Sequence, residues 1–190
     1  MATKCILISG PPGIGKTTLV SRVVDNLRAS NPNLKVQGFL TREIRQGNQR
    51  VGFEVVTIGG QRAPLASINN SSLQSSRWPT VGRYHVDVSS FERIALPELQ
   101  IHEDTDLFVI DEVGKMELFS TSFLPAVLRL LNSNIPILAT VPVPKHGRDI
   151  PGVERLRNHP GATMYLLNPN NRDECREQVY SHVLDLLSKD

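Results

Sequence analysis

The chain has 190 residues, 21 of them basic and 19 acidic, a formal net charge of +2 and a sequence pI of about 8.7. This length suits one well-packed core and is short for two, so we expect a single domain over residues 1–190. The basic and acidic residues are interspersed, which indicates neither a nucleic-acid-binding arm nor a membrane-binding patch, and no run approaches the ~18 apolar residues of a membrane-spanning helix.

The first predicted elements are a strand, a glycine-rich loop and a helix. Residues 4–9 (KCILIS) form an apolar run typical of a strand buried on both faces. The loop that follows fits the pattern G-x-x-x-x-G-K-[ST], and apolar residues then recur at helical spacing from Leu19 to Leu27, until NPN at 31–33 ends the pattern. A preceding strand and a following helix are the context that this loop pattern requires.

The glycine-rich loop predicts a polyphosphate site. Its glycines allow backbone N–H groups to approach phosphate oxygens closely, and the helix that follows presents its positive end there. Lys16 can reach the β- and γ-phosphates, and the hydroxyl of Thr17 can bind Mg²⁺. A tight turn that needs glycine is the alternative, but four fixed positions match by chance in only about one such chain in a hundred. The predicted phosphate-binding residues are Gly10, Pro11, Pro12, Gly13, Ile14, Gly15, Lys16, Thr17 and Thr18.

Residues 35–82 predict a strand, a hairpin and a loop. KVQGFL at 35–40 predicts a second strand, and the β-rich runs around Gly47 and Asn48 predict an inserted β-hairpin at about 41–58. Residues 59–82 are rich in Ser, Asn, Gly and Pro and predict a mobile loop. Charged and polar residues at the start of the hairpin could contact a nucleotide or form an exposed surface: Thr41, Arg42, Glu43 and Arg45.

Strand and helix patterns then alternate to the end of the chain. The predicted elements are a helix at 89–100 bent near Pro97, a strand that opens the segment 106–117, a helix at about 118–131, strands at 135–142 and 162–167, and a last helix in which Asn171 and Glu174 are spaced as a capping box. This alternation favours an α/β fold with a mainly parallel sheet covered on both faces. Ligands bind such sheets at the carboxyl ends of the strands, where the glycine-rich loop, Asp111, Glu112 and Thr140 are expected.

Two carboxylates end the strand LFVI. Asp111 is placed to hold Mg²⁺, and adjacent Glu112 can act as the catalytic base or orient a water in line with the γ-phosphate, unless it only forms a surface pair. Lys115 could neutralise charge in the transition state or be a solvated lysine, and Arg172 could contact the phosphates or the base or be a surface cation. Without a positioned arginine, turnover should be slow.

The cysteines and histidines indicate no metal centre of their own. Cys5 lies in a predicted buried strand and Cys175 on the apolar face of a predicted helix, so both suit small hydrophobic residues in a reducing compartment, the cytoplasm or also the nucleus. The five histidines are widely spaced, with no Cys or carboxylate at ligand spacing, which predicts no zinc site.

With these residues placed, the chain resembles the cancer-related nucleoside-triphosphatase family of P-loop proteins. The resemblance is carried by GPPGIGKTTL, GFLTREIRQGNQRVGFEVVT, VGRYHVDVSSFERIALPEL, VIDEVGKMELFS and PVPK, with NNR at 170–172 in addition. It implies a three-layer P-loop NTPase fold with an extra strand between the phosphate-loop and Walker B strands. It also implies Mg²⁺-dependent hydrolysis of several nucleoside triphosphates to diphosphates.

We therefore expect a monomeric nucleoside triphosphatase that acts on ATP, GTP, CTP and UTP, with no membrane or nucleic-acid partner. A nucleoside or nucleotide kinase remains open, although the arginines at 83, 93, 148, 155 and 157 form no lid cluster. D-x-x-G at 111–114 fits a GTPase switch, but no N-K-x-D motif follows. A nucleotide-sensing binding module in which hydrolysis is incidental is the alternative outside the enzymes.

Overall fold

The protein is described here by a computed structural model that covers residues 4–69 and 77–189. The strands are β1 (Cys5–Gly10), β2 (Val36–Gln46), β3 (Gln49–Thr57), β4 (Arg62–Ser67), β5 (Thr80–Val81), β6 (Tyr84–Val86), β7 (Leu107–Ile110), β8 (Ile137–Pro142) and β9 (Ala162–Leu166). The helices are α1 (Lys16–Ser30), α2 (Val88–Glu98), α3 (Phe123–Leu131), α4 (Pro151–Arg157) and α5 (Arg172–Leu187). A short 3-10 helix at Glu117–Phe119 precedes α3.

The strands form one mixed sheet in the order β5-β6-β4-β3-β2-β7-β8-β1-β9. The parallel half consists of β2, β7, β8, β1 and β9, so the prediction of an α/β fold built on parallel strands is confirmed for this half. Strand β8 lies between β1 and β7, which is the extra strand that the family resemblance implies. The carboxyl ends of these strands therefore share one edge of the sheet.

The antiparallel half extends further than the predicted hairpin. Strands β2 and β3 form that hairpin around Gly47, and β4, β6 and β5 continue the antiparallel pairing beyond it. The prediction of a loop over 59–82 is wrong for β4 and β5, and its residues 70–76 lie outside the described part of the chain. Strand β4 lies between β3 and β6. Its sequence RAPLAS contains a proline and does not indicate a strand, and backbone pairing with the two neighbours stabilises the extended conformation.

Helices cover both faces of the sheet and give three layers. On one face, Leu19 and Val20 of α1 and Val179 of α5 pack against alternate side chains of β1, among them Ile6. On the other face, α2, α3 and α4 cover a second cluster that includes Leu7. Because both faces are covered there, the central parallel strands β1, β7 and β8 consist mostly of buried apolar residues, whereas β9 at the end of the sheet is partly exposed. Within the described residues, no helix is both long enough and apolar enough to cross a membrane.

Three details of the helices differ from the predictions. The helix expected from about 118 is a 3-10 turn followed by α3, and Ser120 between them is buried and donates to Glu92 Oε1 at 2.7 Å. Helix α4 was missed, because it has only seven residues, one of them a glycine, and so shows too short a helical periodicity in the sequence. The side chain of Asn171 does not cap α5, because its Oδ1 accepts from the N–H of Asn168.

Candidate active site

The glycine-rich loop joins the carboxyl end of β1 to the first residue of α1. Gly13 and Gly15 adopt φ values of 77° and 107°, the left-handed region that side chains disfavour, and this brings the chain sharply round into the helix. Ile14 is buried in the core beneath the loop, while Pro11, Pro12 and Thr18 are exposed. The predicted phosphate loop is thus anchored on its inner side and open on its outer side.

The side chain of Lys16 folds back over this loop and is almost completely buried, with 8% of the residue exposed. Its Nζ donates to the carbonyl oxygen of Gly10 at 2.8 Å and to that of Val141 at 3.4 Å. It also forms an ion pair with Glu112 Oε2 at 3.2 Å. Lys16 therefore joins the ends of β1 and β8 to the acidic segment that follows β7.

Asp111 lies at the centre of the carboxyl edge and is 2% exposed. Its Oδ2 accepts from Thr17 Oγ1 at 2.8 Å and from the N–H of Thr41 at 3.2 Å, and its Oδ1 accepts from Thr140 Oγ1 at 2.6 Å. Burial raises the pKa of Asp111 to about 6, although the hydrogen bonds from the Thr140 and Thr17 hydroxyls oppose this shift. The strands β2, β7 and β8 and the start of α1 thus meet at one carboxyl group.

Glu112 leaves the sheet next to Asp111 and is more open, with 29% of its side chain exposed. The peptide bond between these two residues is cis. Glu112 Oε2 faces Lys16. Its Oε1 lies so close to the backbone of Gly114 that a Cβ atom at that residue would overlap it. A carboxylate that is partly exposed and beside the phosphate-loop lysine can contact both a phosphate and a water.

Glu117 is a buried acid at this site that the sequence analysis assigned no role. Only 4% of the residue is exposed, and its Oε2 accepts from the N–H of Gly114 at 3.2 Å. Burial, followed by the negative charge of Glu112, raises the pKa of Glu117 well above its usual range. The spacing of a glycine and a glutamate three residues apart, directly after a strand end, is the only sequence signal for this contact.

Four of the predicted site residues meet at the carboxyl edge, and two are not linked to it. Lys16, Thr17, Asp111 and Glu112 are connected by the contacts above. Lys115 and Arg172 are exposed, and neither forms a side-chain hydrogen bond or ion pair with another residue of the described segments. Arg172 is the first residue of α5, and the segment before it is joined to β1 by the bond from the N–H of Leu167 to the carbonyl of Ser9.

The residues at the start of the hairpin divide into a site residue and surface residues. Thr41, considered above as a nucleotide contact, donates its hydroxyl to the carbonyl oxygen of Asp111 at 2.6 Å and so supports that residue. Glu43 instead pairs with Arg45 at 2.9 Å and with Arg50 at 3.1 Å on the exposed part of the hairpin.

Arg157 reaches the same edge from α4, which the sequence analysis did not foresee. Its Nη2 donates to Ser9 Oγ at 3.3 Å and to the carbonyl oxygen of Pro142, and its Nε pairs with Asp149 at 2.5 Å. This arginine joins the ends of β1 and β8 on the face opposite to α1. Its distance in sequence from both strands explains why no local pattern indicated it.

Comparisons with known proteins agree with this fold. The family described as NTPase matches residues 5–180. The human cancer-related nucleoside-triphosphatase is 41% identical over 184 residues, which cover 94% of this chain and 95% of that protein. A solution structure of a human cancer-related nucleoside triphosphatase superposes with a TM-score of 0.82 at 38% identity, over 99% of this chain and 100% of that one. The crystal structure of THEP1 from Aquifex aeolicus gives a TM-score of 0.79 at 34% identity, over 94% and 98%.

Proposed function

Because the chain belongs to the NTPase family, we propose that it is a nucleoside-triphosphatase that cleaves the γ-phosphate from nucleoside triphosphates, using Mg²⁺. The observation that carries this proposal is a pair of contacts at one edge of the sheet. Lys16 forms an ion pair with Glu112 at 3.2 Å, and Thr17 forms a hydrogen bond with Asp111 at 2.8 Å. A cation, an open carboxylate and a hydroxyl–carboxylate pair next to a phosphate loop are the groups that phosphoryl transfer to water requires.

The phosphate loop holds the triphosphate. Backbone N–H groups of Gly13 and of residues 15–18 and the positive end of α1 face the anion, and no Cβ intervenes at Gly13 or Gly15. Lys16 then has two competing partners, the phosphates and Glu112. Since a triphosphate carries more negative charge than one carboxylate, binding draws the ammonium group toward the phosphates and frees Glu112 Oε2 to face a water.

Thr17 and Asp111 are the residues that would hold Mg²⁺. Hydroxyl and carboxylate oxygens are the ligands this ion prefers, and here they already lie side by side. A divalent cation would also favour the ionised form of Asp111, whose pKa burial raises to about 6. When bound, Mg²⁺ neutralises negative charge on the phosphate oxygens.

Glu112 acts as the general base. Its carboxylate takes a proton from the attacking water as the water oxygen bonds to the γ-phosphorus, and the bond from that phosphorus to the bridging oxygen breaks to release the diphosphate. Lys115 follows in the same loop and is exposed, so it can approach the negative charge that develops on the leaving diphosphate.

We expect slow turnover and broad base specificity across ATP, GTP, CTP and UTP. The sequence contains no base-reading motif, which favours broad base specificity. A slow rate is consistent with the contacts of Arg157, because its side chain is already bound to Asp149, Ser9 and the Pro142 carbonyl and so does not stabilise the transition state. A phosphate-release panel over these four nucleotides, with and without Mg²⁺, measures both properties. Because no acceptor is added, release of phosphate also separates a hydrolase from a kinase.

The Glu112→Gln variant tests the mechanism. An amide cannot accept the proton, so we expect kcat to fall by about 10²- to 10⁴-fold while Mg–ATP binding, measured by calorimetry, is retained. Glu103→Gln is the matched control, because Glu103 is an exposed acid that precedes β7 at the opposite edge of the sheet. Normal turnover in Glu112→Gln would refute the assignment of the base.

A further inference from the structure

Glu117 is a deeply buried acid in the chain segment that carries the proposed base. It begins the 3-10 helix, points inward and has 4% of its surface exposed. A buried carboxyl group requires a specific compensation, because desolvation of a charge is unfavourable. The compensation observed is the bond at 3.2 Å from the N–H of Gly114 to Glu117 Oε2.

Gly114 lies between the two glutamates. A Cβ added at this residue would overlap Glu112 Oε1 and would lie 3.0 Å from Glu117 Oε2, so both carboxyl groups occupy the same side of the Gly114 backbone. The other oxygen of Glu112 meets Lys16 Nζ at 3.2 Å. Glu117, Gly114, Glu112 and Lys16 therefore form one continuous row of contacts from the core to the phosphate loop.

The surroundings of Glu117 disfavour its charged form. Burial and the charge of Glu112 both raise the pKa of Glu117, while Glu112 has Lys16 as its counter-ion. A neutral carboxylic acid has one O–H donor and keeps an acceptor oxygen. In that form Glu117 can accept from Gly114 and carries no charge that would repel the carboxylate of Glu112.

We propose that Glu117 is a positioning residue for Glu112: through Gly114 it holds the Glu112 carboxylate at the phosphate-loop lysine, where the base is needed. This inference rests on the proposed function. It assigns Glu117 no contact with substrate and predicts that its effect on the rate passes entirely through Glu112.

The test is a double-mutant cycle on the full chain, with kcat and KM for Mg–ATP, calorimetric Mg–ATP affinity and thermal unfolding as readouts. Glu117→Ala should lower kcat by about 10- to 100-fold, with KM changed by less than about threefold, since small misplacement of a catalytic group affects mainly the chemical step. Glu117→Gln should keep kcat within about fivefold of the original chain, because its amide can still accept from Gly114 and is neutral. In the Glu112→Gln background, Glu117→Ala should cause no further loss.

The matched control is Glu98→Ala. Glu98 Oε2 accepts from the N–H of Gly38 at 3.2 Å, the same type of bond at the same distance, but it ends α2 and lies near the amino end of the parallel strands. Its loss should reduce the melting temperature and leave kcat unchanged. Gly114→Ala provides a second variant should Glu117→Ala not fold, and it should lower kcat with Glu117 intact, because the new methyl group displaces Glu112.

The outcomes separate this inference from the proposed function. Normal turnover of Glu112→Gln overturns the proposed function. An inactive Glu112→Gln together with a Glu117→Ala variant of normal kcat overturns the positioning role alone. A further loss from Glu117→Ala in the Glu112→Gln background, or a Glu117→Gln variant as slow as Glu117→Ala, also overturns it, because either result means that Glu117 acts otherwise than through a hydrogen-bonding neutral group on Glu112.

Discussion

Charged side chains are buried at the carboxyl edge of the parallel half of the sheet and exposed in the antiparallel half. At the carboxyl edge of the parallel half, Lys16, Asp111 and Glu117 are all nearly inaccessible, with 8%, 2% and 4% of each residue exposed. In the antiparallel half, Arg62 pairs with Glu54 at 3.1 Å, and 58% of the arginine side chain is exposed. The first set is desolvated and the second remains in contact with water.

This difference separates the charges that bear on function from those that only cover the surface. Burying an ionisable group is unfavourable unless it is paired, so a fold that concentrates three of them at one edge carries a stability penalty there. Exposed pairs carry almost no penalty and contribute little. We infer that the parallel half holds the proposed reactive groups and that β2, the strand shared by both halves, supports them through Thr41.

The largest effect is expected from breaking the buried set at Lys16. Lys16→Ala removes a side chain that links the Gly10 and Val141 carbonyls to Glu112, and it removes a positive charge from the proposed phosphate site. We expect phosphate release from Mg–ATP to fall by about 10³-fold or more, with weaker triphosphate binding. Lys35→Ala, at an exposed lysine just before β2, is the control and should retain full activity. Turnover of Lys16→Ala within tenfold of the original chain would contradict the proposed site.

A smaller effect, on stability, is expected from neutralising Glu117. Its pKa is raised in the folded chain by burial and by the charges of Glu112 and Asp111, so the folded state holds a proton that the unfolded state releases. Folding is therefore favoured by this group at pH 4, and that contribution is lost as the pH rises through its folded pKa. Glu117→Gln should match the original chain at pH 4 and melt about 2–4 °C higher at pH 8, or about 1 kcal/mol.

Thermal unfolding at several pH values tests this shift, with Glu98→Gln as the control. A melting-temperature difference between Glu117→Gln and the original chain that stays the same from pH 4 to pH 8 would show that the Glu117 carboxyl titrates normally in the folded state. The measurement uses no nucleotide, so it is independent of the proposed chemistry.

The fold was predictable where local pattern and tertiary environment agree. Strand β1, the phosphate loop, α1 and the hairpin follow directly from apolar runs and glycine positions. Strand β4 was missed because pairing with β3 and β6 orders a segment that reads as a loop, and α4 because it is short. Strand β4 is ordered by backbone pairing with its neighbouring strands, and α4 by burial of Val153 and Leu156 in the core, and a local sequence pattern indicates neither.

The site was predictable to the extent that it follows strand ends and loop spacing. Lys16, Thr17, Asp111 and Glu112 carry such signals, and the structure brings them together. Arg157 carries none, and Glu117 carries only its spacing of three residues from Gly114. A glutamate or an arginine on a short helix is exposed by default, and the contacts of the folded chain make these two part of the site.

The smallest effect is expected from the exposed pair of the antiparallel half. Arg62→Ala breaks the contact at 3.1 Å with Glu54 Oε1, but water replaces the lost partner, and the arginine no longer gives up side-chain entropy to hold one geometry. We expect the free energy of unfolding to change by no more than about 0.5 kcal/mol, the coupling with Glu54→Ala to be of similar size, and kcat to stay unchanged. Urea unfolding at low and high salt measures the coupling, which should shrink as salt screens it. A coupling above about 2 kcal/mol would mean that this pair is effectively desolvated, and the distinction between the two halves of the sheet would then not hold.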